Sequence, residues 1–412
     1  MAPSSASPRP LISTTRLRTS TTPPRTGALS RTRSRSGSTA PTRCAALATA
    51  LTLVLSACTT PNSDRGYGPE SAPAEGSTSA EPTASAGAPD IAEPETVVEG
   101  LAAPWSIAFA GDVALVSERD SGRILELTET APAQAREVGT VPGVAASGEG
   151  GLLGLATDED FLYAYFTAAE DNRIVRFPLD GEPGSFALGS PEVLLDGIPK
   201  AGNHNGGRIA FGPDGKLYAT AGDAGDRESA QNREALSGKI LRLDPDGSVP
   251  EDNPFPGSPV YSFGHRNPQG IAWDETGRMY SSEFGQNTWD ELNIIEAGGN
   301  YGWPDVEGMA DPGEGSDFID PVQQWSTGEA SPSGMTITGN TILIANLRGQ
   351  SVREVPVSDL SQSRTRYEGE YGRVRDVVTT PDGQLWMLTN NTDGRGSPAP
   401  GDDRILRIPL PD

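Results

Sequence analysis

The chain has 412 residues and a formal net charge of −24, from 32 Lys and Arg against 56 Asp and Glu. This acidic balance argues against a nucleic-acid surface, because neutralising phosphates takes clustered basic side chains. The 49 Gly and 36 Pro residues predict frequent turns and short elements and exclude a long coiled coil. With only 2 Cys and 2 His, a disulfide scaffold and a thiolate zinc cage are also excluded.

The first 57 residues contain eight Arg and no acidic residue, so the rest of the chain carries a net charge of −32. An apolar run over residues 44–57 is too short for a membrane span and is typical of a signal-peptide core. Small residues precede Cys58, as in the lipobox of bacterial lipoproteins. We predict that residues 1–57 are a signal peptide and that Cys58 is lipidated, which would anchor the exported chain at the outer face of the cell membrane. The alternative is an ordinary secretory signal with a chance cysteine.

Residues 58–94 are rich in Pro, Ala, Ser, Gly and Thr and have few large apolar side chains. Such a segment buries too little surface to offset the entropy lost on ordering. We therefore predict a disordered tether between the lipidated cysteine and a folded domain.

Residues 95–412 show short β-type runs separated by Gly, Pro, Asp and Asn turns. One pattern recurs six times: an apolar strand, a turn, a second strand and then often an Arg-Ile run. The six units begin near Trp105, Leu153, Arg208, Gly270, Gly334 and Val377. Their length suits a four-stranded blade, which predicts an all-β, six-bladed β-propeller with four-stranded antiparallel blades. A pair of sandwiches is the alternative.

The run Asn203-His-Asn-Gly-Gly-Arg208 holds one of the two histidines just before a predicted strand. His204 is a candidate general base, because imidazole titrates near neutral pH. Asp223 ends a later strand and is a candidate to fix the imidazole tautomer. The alternatives are a histidine that caps a loop and an ordinary turn aspartate.

A second polar region runs from Gly264-His-Arg-Asn-Pro-Gln-Gly270 to Gly298-Gly-Asn-Tyr-Gly-Trp-Pro304. Arg266 and Asn267 precede a proline, which predicts a restricted turn. The Asp290-Glu291 pair and the carbonyls of glycine-rich loops are hard oxygen ligands suited to Ca²⁺, or else the acids belong to a solvated loop.

The run Arg373-Val-Arg-Asp376 places two arginines on one face of a predicted strand. Like charges so close together indicate a polyanionic ligand or paired acids. Surface arginines paired with local carboxylates are the alternative.

Five motifs, in this order and spacing, resemble the soluble pyrroloquinoline quinone (PQQ)-dependent sugar dehydrogenases, the glucose/sorbosone dehydrogenase family, most closely its aldose sugar dehydrogenase branch. They begin at Gly148, Asn203, Gly264, Gly298 and Arg373. The resemblance spans roughly residues 100–410 and implies a six-bladed propeller that binds PQQ and Ca²⁺ and oxidises aldose sugars to lactones. It implies that His204 takes the proton of the anomeric hydroxyl, that Asp223 orients His204 and that Arg266 polarises the quinone oxygens.

The resemblance also implies a set of residues that hold PQQ. These are Glu149, Arg266, Asn267, Trp325, Arg348, Arg373 and Arg375, with Trp325 as the aromatic side chain stacked on the cofactor. Glu149 stands where the glucose-oxidising members have Gln, and Asn203 where they have Asp, so the sugar that is recognised stays open.

Two calcium sites follow from the same resemblance. The backbone carbonyls of Gly285 and Gln286 would hold an active-site Ca²⁺ together with PQQ. Glu291 and the carbonyl of Tyr301 would hold a structural Ca²⁺.

Two other functions fit a propeller of this kind, since propellers serve many functions. One is a calcium-stabilised propeller that binds a carbohydrate or a protein without redox chemistry. The other is a lactonase, which would need a carboxylate-rich metal site at the axis. The arginines argue against the lactonase.

Overall fold

A computed structural model describes residues 93–128, 132–310 and 317–411. The predicted signal peptide, Cys58 and all but the last two residues of the predicted tether lie outside these ranges. Across the three ranges, no helix is both long enough and apolar enough to cross a bilayer.

The described residues form six antiparallel sheets and one short 3₁₀ helix, Arg227–Ala230. Blade 1 contains β2 (Pro104–Ala110), β3 (Val113–Glu118), β4 (Arg123–Leu127) and β5 (Ala135–Thr140). Blade 2 contains β6 (Leu152–Thr157), β7 (Phe161–Thr167), β8 (Asn172–Asp180), β9 (Ala187–Leu188) and β10 (Glu192–Ile198). Blade 3 contains β11 (Ile209–Phe211), β12 (Leu217–Ala221), β13 (Lys239–Leu243) and β14 (Val260–Phe263).

The other three blades follow the same plan. Blade 4 contains β15 (Pro268–Trp273), β16 (Met279–Glu283), β17 (Trp289–Ile295) and β18 (Gln323–Ser326). Blade 5 contains β19 (Pro332–Thr338), β20 (Thr341–Asn346), β21 (Ser351–Pro356) and β22 (Arg364–Arg366). Blade 6 contains β23 (Val374–Thr379), β24 (Leu385–Thr389), β25 (Ile405–Ile408) and β1 (Glu95–Val98). The predicted fold is confirmed, with the short strand β9 as an addition to blade 2.

Blade 6 draws its strands from two distant parts of the sequence. Its outermost strand, β1, pairs antiparallel with β25, so that Glu95 lies opposite Arg407 and Val98 opposite Ile405. The innermost strands of neighbouring blades contact each other around the whole ring, including β23 of blade 6 against β2 of blade 1. The propeller is therefore a closed ring.

Six hydrophobic clusters fill the interfaces between the blades, and each draws its side chains mainly from two neighbours. The second strands are apolar on both faces because each face packs against another blade. For example, every residue of β3 is buried. Tight turns join first and second strands, as at Pro213-Asp214-Gly215, where the positive φ of Gly215 (73°) suits glycine.

Polar side chains of the innermost strands fill the axis. Arg208 Nη1 donates to Asp376 Oδ2 at 2.7 Å and to Ser106 Oγ at 3.2 Å. Arg375 Nη1 donates to Gln269 Oε1 at 2.9 Å. These buried hydrogen bonds fix Arg375 at the axis.

Candidate functional site

The candidate site lies at one end of the axis because of how the strands run. In antiparallel blades, the start of each first strand and the end of each second strand share one edge of the sheet. His204, Arg266 and Arg373 each lie just before a first strand, whereas Asp223 and Arg348 follow second strands. The propeller therefore gathers residues from four separate blades at one face.

His204 is held between Asp223 and Arg266. Its Nδ1 lies 2.7 Å from Asp223 Oδ1, and its Nε2 lies 2.8 Å from Arg266 Nη2. A guanidinium group has no acceptor, so Nε2 must present its lone pair and Nδ1 must carry the proton donated to Asp223. The imidazole is thus a neutral base whose Nε2 lone pair accepts a hydrogen bond from Arg266.

Asp223 is fully buried, with hydrogen bonds to both of its oxygens. Oδ1 also accepts the Gly225 N–H at 2.8 Å, and Oδ2 accepts the indole N–H of Trp303 at 2.9 Å. Burial opposes ionisation, yet the hydrogen bonds from His204, Gly225 and Trp303 hold the pKa of Asp223 below its ordinary value. The carboxylate therefore stays charged beside the imidazole.

Arg266 is a desolvated cation directed at the base. Burial lowers the pKa of its guanidinium, although Asp223 and Glu283 oppose that shift. It donates to the Phe284 carbonyl at 3.0 Å and to Gln286 Oε1 at 3.1 Å. A fixed, poorly solvated positive charge next to His204 Nε2 is suited to stabilising negative charge that develops on a reacting oxygen.

A cavity of about 300 Å³ opens beside this group and is lined by four arginines: Arg348, Arg373, Arg375 and Arg395. Burial and the charge of Arg373 lower the pKa of Arg375 to about 9. Arg373 Nε is buried and has no hydrogen-bond partner among the described residues. Crowded, incompletely paired arginines indicate that the cavity binds an anion.

Asp393 partly offsets this positive charge. Its buried Oδ2 lies 3.3 Å from Arg373 Nη2 and 4.0 Å from Arg375 Nη2, and its Oδ1 accepts the backbone N–H of Arg395 at 2.9 Å. The Arg395 guanidinium in turn pairs with Glu149 at 3.2 Å, and the other Glu149 oxygen accepts the backbone N–H of His204 at 3.0 Å. A continuous chain of polar contacts therefore links the arginines of the cavity to the base.

Residues 101–406 match the family described as Glucose / Sorbosone dehydrogenase. The chain belongs to this family. The solved PQQ-bound form of the aldose sugar dehydrogenase from Streptomyces coelicolor is 51% identical, with a TM-score of 0.72 over 76% of this chain and 96% of that one. The aldose sugar dehydrogenase YliI of Escherichia coli strain K12 is 29% identical over 74% of this chain and 92% of its own length. The quinoprotein glucose dehydrogenase B of Acinetobacter calcoaceticus is 34% identical over 53% of each chain. The predicted family membership is confirmed.

The cavity of this glucose/sorbosone dehydrogenase suits PQQ, a flat quinone with three carboxylates. The unpartnered Arg373 Nε and the crowded guanidinium groups of Arg375 and Arg395 supply donors for those carboxylates. Asn267 is buried, and its Oδ1 accepts the Gly206 N–H at 3.0 Å. Its amide NH₂ makes no hydrogen bond within the described chain, which fits a group kept for a ligand.

The loop after β16 suits a calcium ion held by backbone carbonyls. Glu307 Oε1 accepts the N–H groups of four consecutive residues, Gln286 to Trp289, at 2.7 to 3.2 Å. In a trans peptide the C=O is antiparallel to the N–H, so the carbonyls of Gly285 and Gln286 point away from Glu307. Neither carbonyl accepts a hydrogen bond from the described residues, and both suit an oxygen-seeking cation.

A second position also suits calcium. Glu291 lies opposite Glu283 in the β16–β17 register, and burial together with that like charge raises the pKa of Glu291. Asn293 donates to Glu291 at 3.0 Å, and its buried Oδ1 has no partner among the residues described. Tyr301 is held by the bond from its N–H to the Phe263 carbonyl at 3.0 Å, and it stacks on His265, which contacts Glu283. Within the described ranges no cluster of three or more His, Cys, Asp or Glu side chains could hold a metal ion.

The structure brings together most of the predicted site residues. His204, Asp223, Glu149, Arg266, Asn267, Arg348, Arg373 and Arg375 all lie at the same end of the axis. Trp325 does not join them. It lies on β18, the outermost strand of blade 4, in the core shared with blade 5, with the Arg353 guanidinium 4.7 Å from its ring centre. We therefore leave Trp325 out of the cofactor site.

Sequence reasoning missed four residues of the site. Trp105 lines the cavity, with the guanidinium of Arg375 5.6 Å from its ring centre. Trp303 contacts Asp223, and Asp393 and Arg395 contact the arginines and Glu149. Only Trp303 carried a signal, since it lies inside one of the five motifs.

Proposed function

We propose that this chain is a PQQ-dependent dehydrogenase that oxidises aldose sugars at the anomeric carbon to lactones. The observation that carries the proposal is the neutral His204, whose Nε2 lone pair faces Arg266 beside a cavity lined by four arginines. Bound PQQ would supply the oxidant that accepts the hydride leaving the sugar.

The residues of the chain divide the remaining work. His204 Nε2 takes the proton of the anomeric hydroxyl, and Asp223 holds the tautomer and offsets the charge that the imidazole gains. Arg266 donates to oxygen that becomes negative during the reaction. Arg348, Arg373, Arg375 and Asn267 would hold the carboxylates and ring oxygens of PQQ.

Calcium is part of the proposal. The carbonyls of Gly285 and Gln286, which accept no hydrogen bond from the described residues, support one site. The Glu291 carboxylate and the unpartnered Oδ1 of Asn293 support another, to which the Tyr301 carbonyl would contribute. A divalent cation at the second site would offset the repulsion between Glu283 and Glu291, which face each other across two strands.

The test is reconstitution of the purified full chain with PQQ and Ca²⁺, followed by reduction of an artificial dye with several aldoses and with an alditol as the control. We expect dye reduction that needs an aldose and PQQ. His204→Ala should still bind PQQ but lose about 10²- to 10⁴-fold in turnover. If the chain does not bind PQQ and does not reduce the dye, the alternative is a non-redox, calcium-stabilised propeller that binds carbohydrate or protein.

We also propose that the chain is exported and held at the outer face of the cell membrane by a lipid on Cys58. The support is the basic leader, the apolar run of residues 44–57 and the small residues before the cysteine. Cys58→Ser should release the protein from the membrane fraction and abolish incorporation of a labelled fatty acid. Unchanged membrane retention would contradict the anchor.

A further inference from the structure

Trp303 contacts Asp223, the hydrogen-bond partner of His204, but has no role in the scheme above. It lies in the glycine-rich loop after β17 and is only 4% exposed. Its indole Nε1–H donates to Asp223 Oδ2 at 2.9 Å. In the described part of the chain it is the one donor to that oxygen.

The two oxygens of Asp223 therefore have different partners. Oδ1 accepts hydrogen bonds from His204 and from the Gly225 N–H, whereas Trp303 is the single donor to Oδ2 among the described residues. The two hydrogen bonds to Oδ1 alone would hold the carboxylate less firmly about its Cβ–Cγ bond, and rotation about that bond would turn Oδ1 away from His204. The indole bond fixes the plane of the carboxylate and, through it, the plane of the imidazole.

Trp303 itself is held from several sides. The guanidinium groups of Arg227 and Arg266 lie 4.4 and 5.6 Å from its ring centre. Its backbone N–H donates to the Gly264 carbonyl at 2.9 Å, and its carbonyl accepts a hydrogen bond from Gln231 at 2.7 Å. Loops of blades 3 and 4 thus set the position of the indole before any ligand binds.

We propose that Trp303 is a positioning residue for proton abstraction, which acts on His204 through Asp223. The catalytic effect of Trp303 rests on the proposed function. Its effect on the position of His204 does not, because the hydrogen bonds join only residues of the chain. Trp303 keeps Asp223 charged and oriented, so that His204 holds its proton on Nδ1 and presents an unprotonated Nε2 to the substrate hydroxyl.

The first test compares Trp303→Phe with Trp386→Phe in the reconstituted full chain. Trp386 is a matched control, because its buried indole N–H has no hydrogen-bond partner among the residues described. We expect Trp303→Phe to lower kcat roughly tenfold, which is less than the loss expected on removing a general base altogether. KM for the aldose and affinity for PQQ should stay within about twofold, since Trp303 binds neither in this scheme.

The pH profile gives a readout that a loss of packing would not move. Without the indole donor, Asp223 is a stronger base, so the acid limb of the profile should move to higher pH in Trp303→Phe and stay in place in Trp386→Phe. An equal fall in both variants, or an unmoved acid limb, would show that Trp303 only packs.

The second test needs neither cofactor nor sugar, so its result is independent of the proposed function. The chain has 2 histidines, and a protein labelled with ¹⁵N-histidine therefore shows the imidazoles of His204 and His265 alone. We expect Trp303→Phe to shift the ring resonances of His204 and their pH dependence. Those of His265, which is buried against Glu283 and Ser262, should stay unchanged.

If Trp303→Phe does not fold, the tryptophan isostere with sulfur in place of the indole N–H should be incorporated at position 303. This replacement keeps the size of the ring and removes only the donor. Unchanged His204 resonances in that protein would overturn the proposal, whatever the enzyme activity proves to be.

Discussion

His204 Nδ1 lies 2.7 Å from Asp223 Oδ1 while Nε2 of the same ring lies 2.8 Å from the Arg266 guanidinium. One tautomer satisfies both contacts. Asp223→Asn would offer the ring an amide in place of a carboxylate and favour the wrong tautomer, so we expect kcat to fall by about 10²- to 10⁴-fold. Steady-state kinetics with an aldose measure this, and PQQ affinity should change by less than about twofold. The exposed neighbour Asp226, changed to Asn, is the matched control and should retain activity.

Arg373→Met should weaken binding of PQQ. The Nε of Arg373 is buried and has no hydrogen-bond partner in the described structure. A hydrogen bond from this atom to a PQQ carboxylate would contribute about 1.5–3 kcal/mol. We expect Kd to rise about 10- to 100-fold, measured by calorimetric titration of PQQ into the empty protein. Arg407→Met, at the half-exposed pair with Glu95 on blade 6, should leave Kd unchanged. Equal Kd values for the two variants would contradict the assigned cavity.

Asp393→Asn should lower the stability of the empty protein and increase the stabilisation that PQQ provides. The buried carboxylate is the counter-charge that Arg373 and Arg375 share, so its loss should lower Tm of the empty protein. An anionic cofactor would then restore more of the lost stability, and the rise in Tm on adding PQQ should be larger than in the wild type. Asp120→Asn, which removes an exposed partner of Arg119, should alter neither value by much. A smaller rise in Tm than in the wild type would show that Asp393 helps to bind the cofactor directly.

Glu307→Gln should weaken calcium at the loop of Gly285 and Gln286. Burial alone would raise the pKa of Glu307, but the N–H groups of residues 286–289 hold that pKa below its ordinary value. A neutral amide is a weaker acceptor, so the loop should lose its shape and calcium affinity should fall roughly tenfold. Calorimetric titration of Ca²⁺ after chelation measures the change, with the exposed Glu296→Gln as control. An unaltered affinity would place the ion elsewhere.

Lys239 predicts a pH dependence of stability. The side chain is fully buried and donates to the carbonyls of Ser229, Ala230 and Ser237 at 2.7 to 2.9 Å, while burial lowers its pKa to about 7. The unfolded chain binds this proton below about pH 10, so between pH 7 and 10 the unfolded state holds more protons than the folded state. The free energy of unfolding should therefore rise with pH across this window, by at most about 4 kcal/mol. Urea unfolding at pH 7, 8.5 and 10 should show this rise in the wild type and not in Lys239→Met.

The blades could be predicted because their signals are local. Alternating apolar runs and Pro-Asp-Gly turns mark first and second strands wherever they occur, as on both sides of Gly215. The strand β1 has no such signal, since its four residues acquire a partner only when β25 is placed beside them. Ring closure through this pair is a property of the whole chain and not of any window of sequence.

The residues of the site also differ in whether they could be predicted from local sequence. His204, Arg266 and Arg373 could be predicted because they lie in dense polar motifs next to first strands. Asp393 and Arg395 lie in an ordinary polar turn, and nothing in that turn shows that it faces two arginines from another strand. Trp325 shows the converse, because a single aromatic residue in the sequence gives no sign of whether it lies at the axis or in the outer core.

The pairing of β1 with β25 also sets the order of events while the protein is being made. β1, the first strand of the described residues, is synthesised some three hundred positions before its partner β25. During that interval β1 is an unpaired edge, and the ring cannot close on a partial chain.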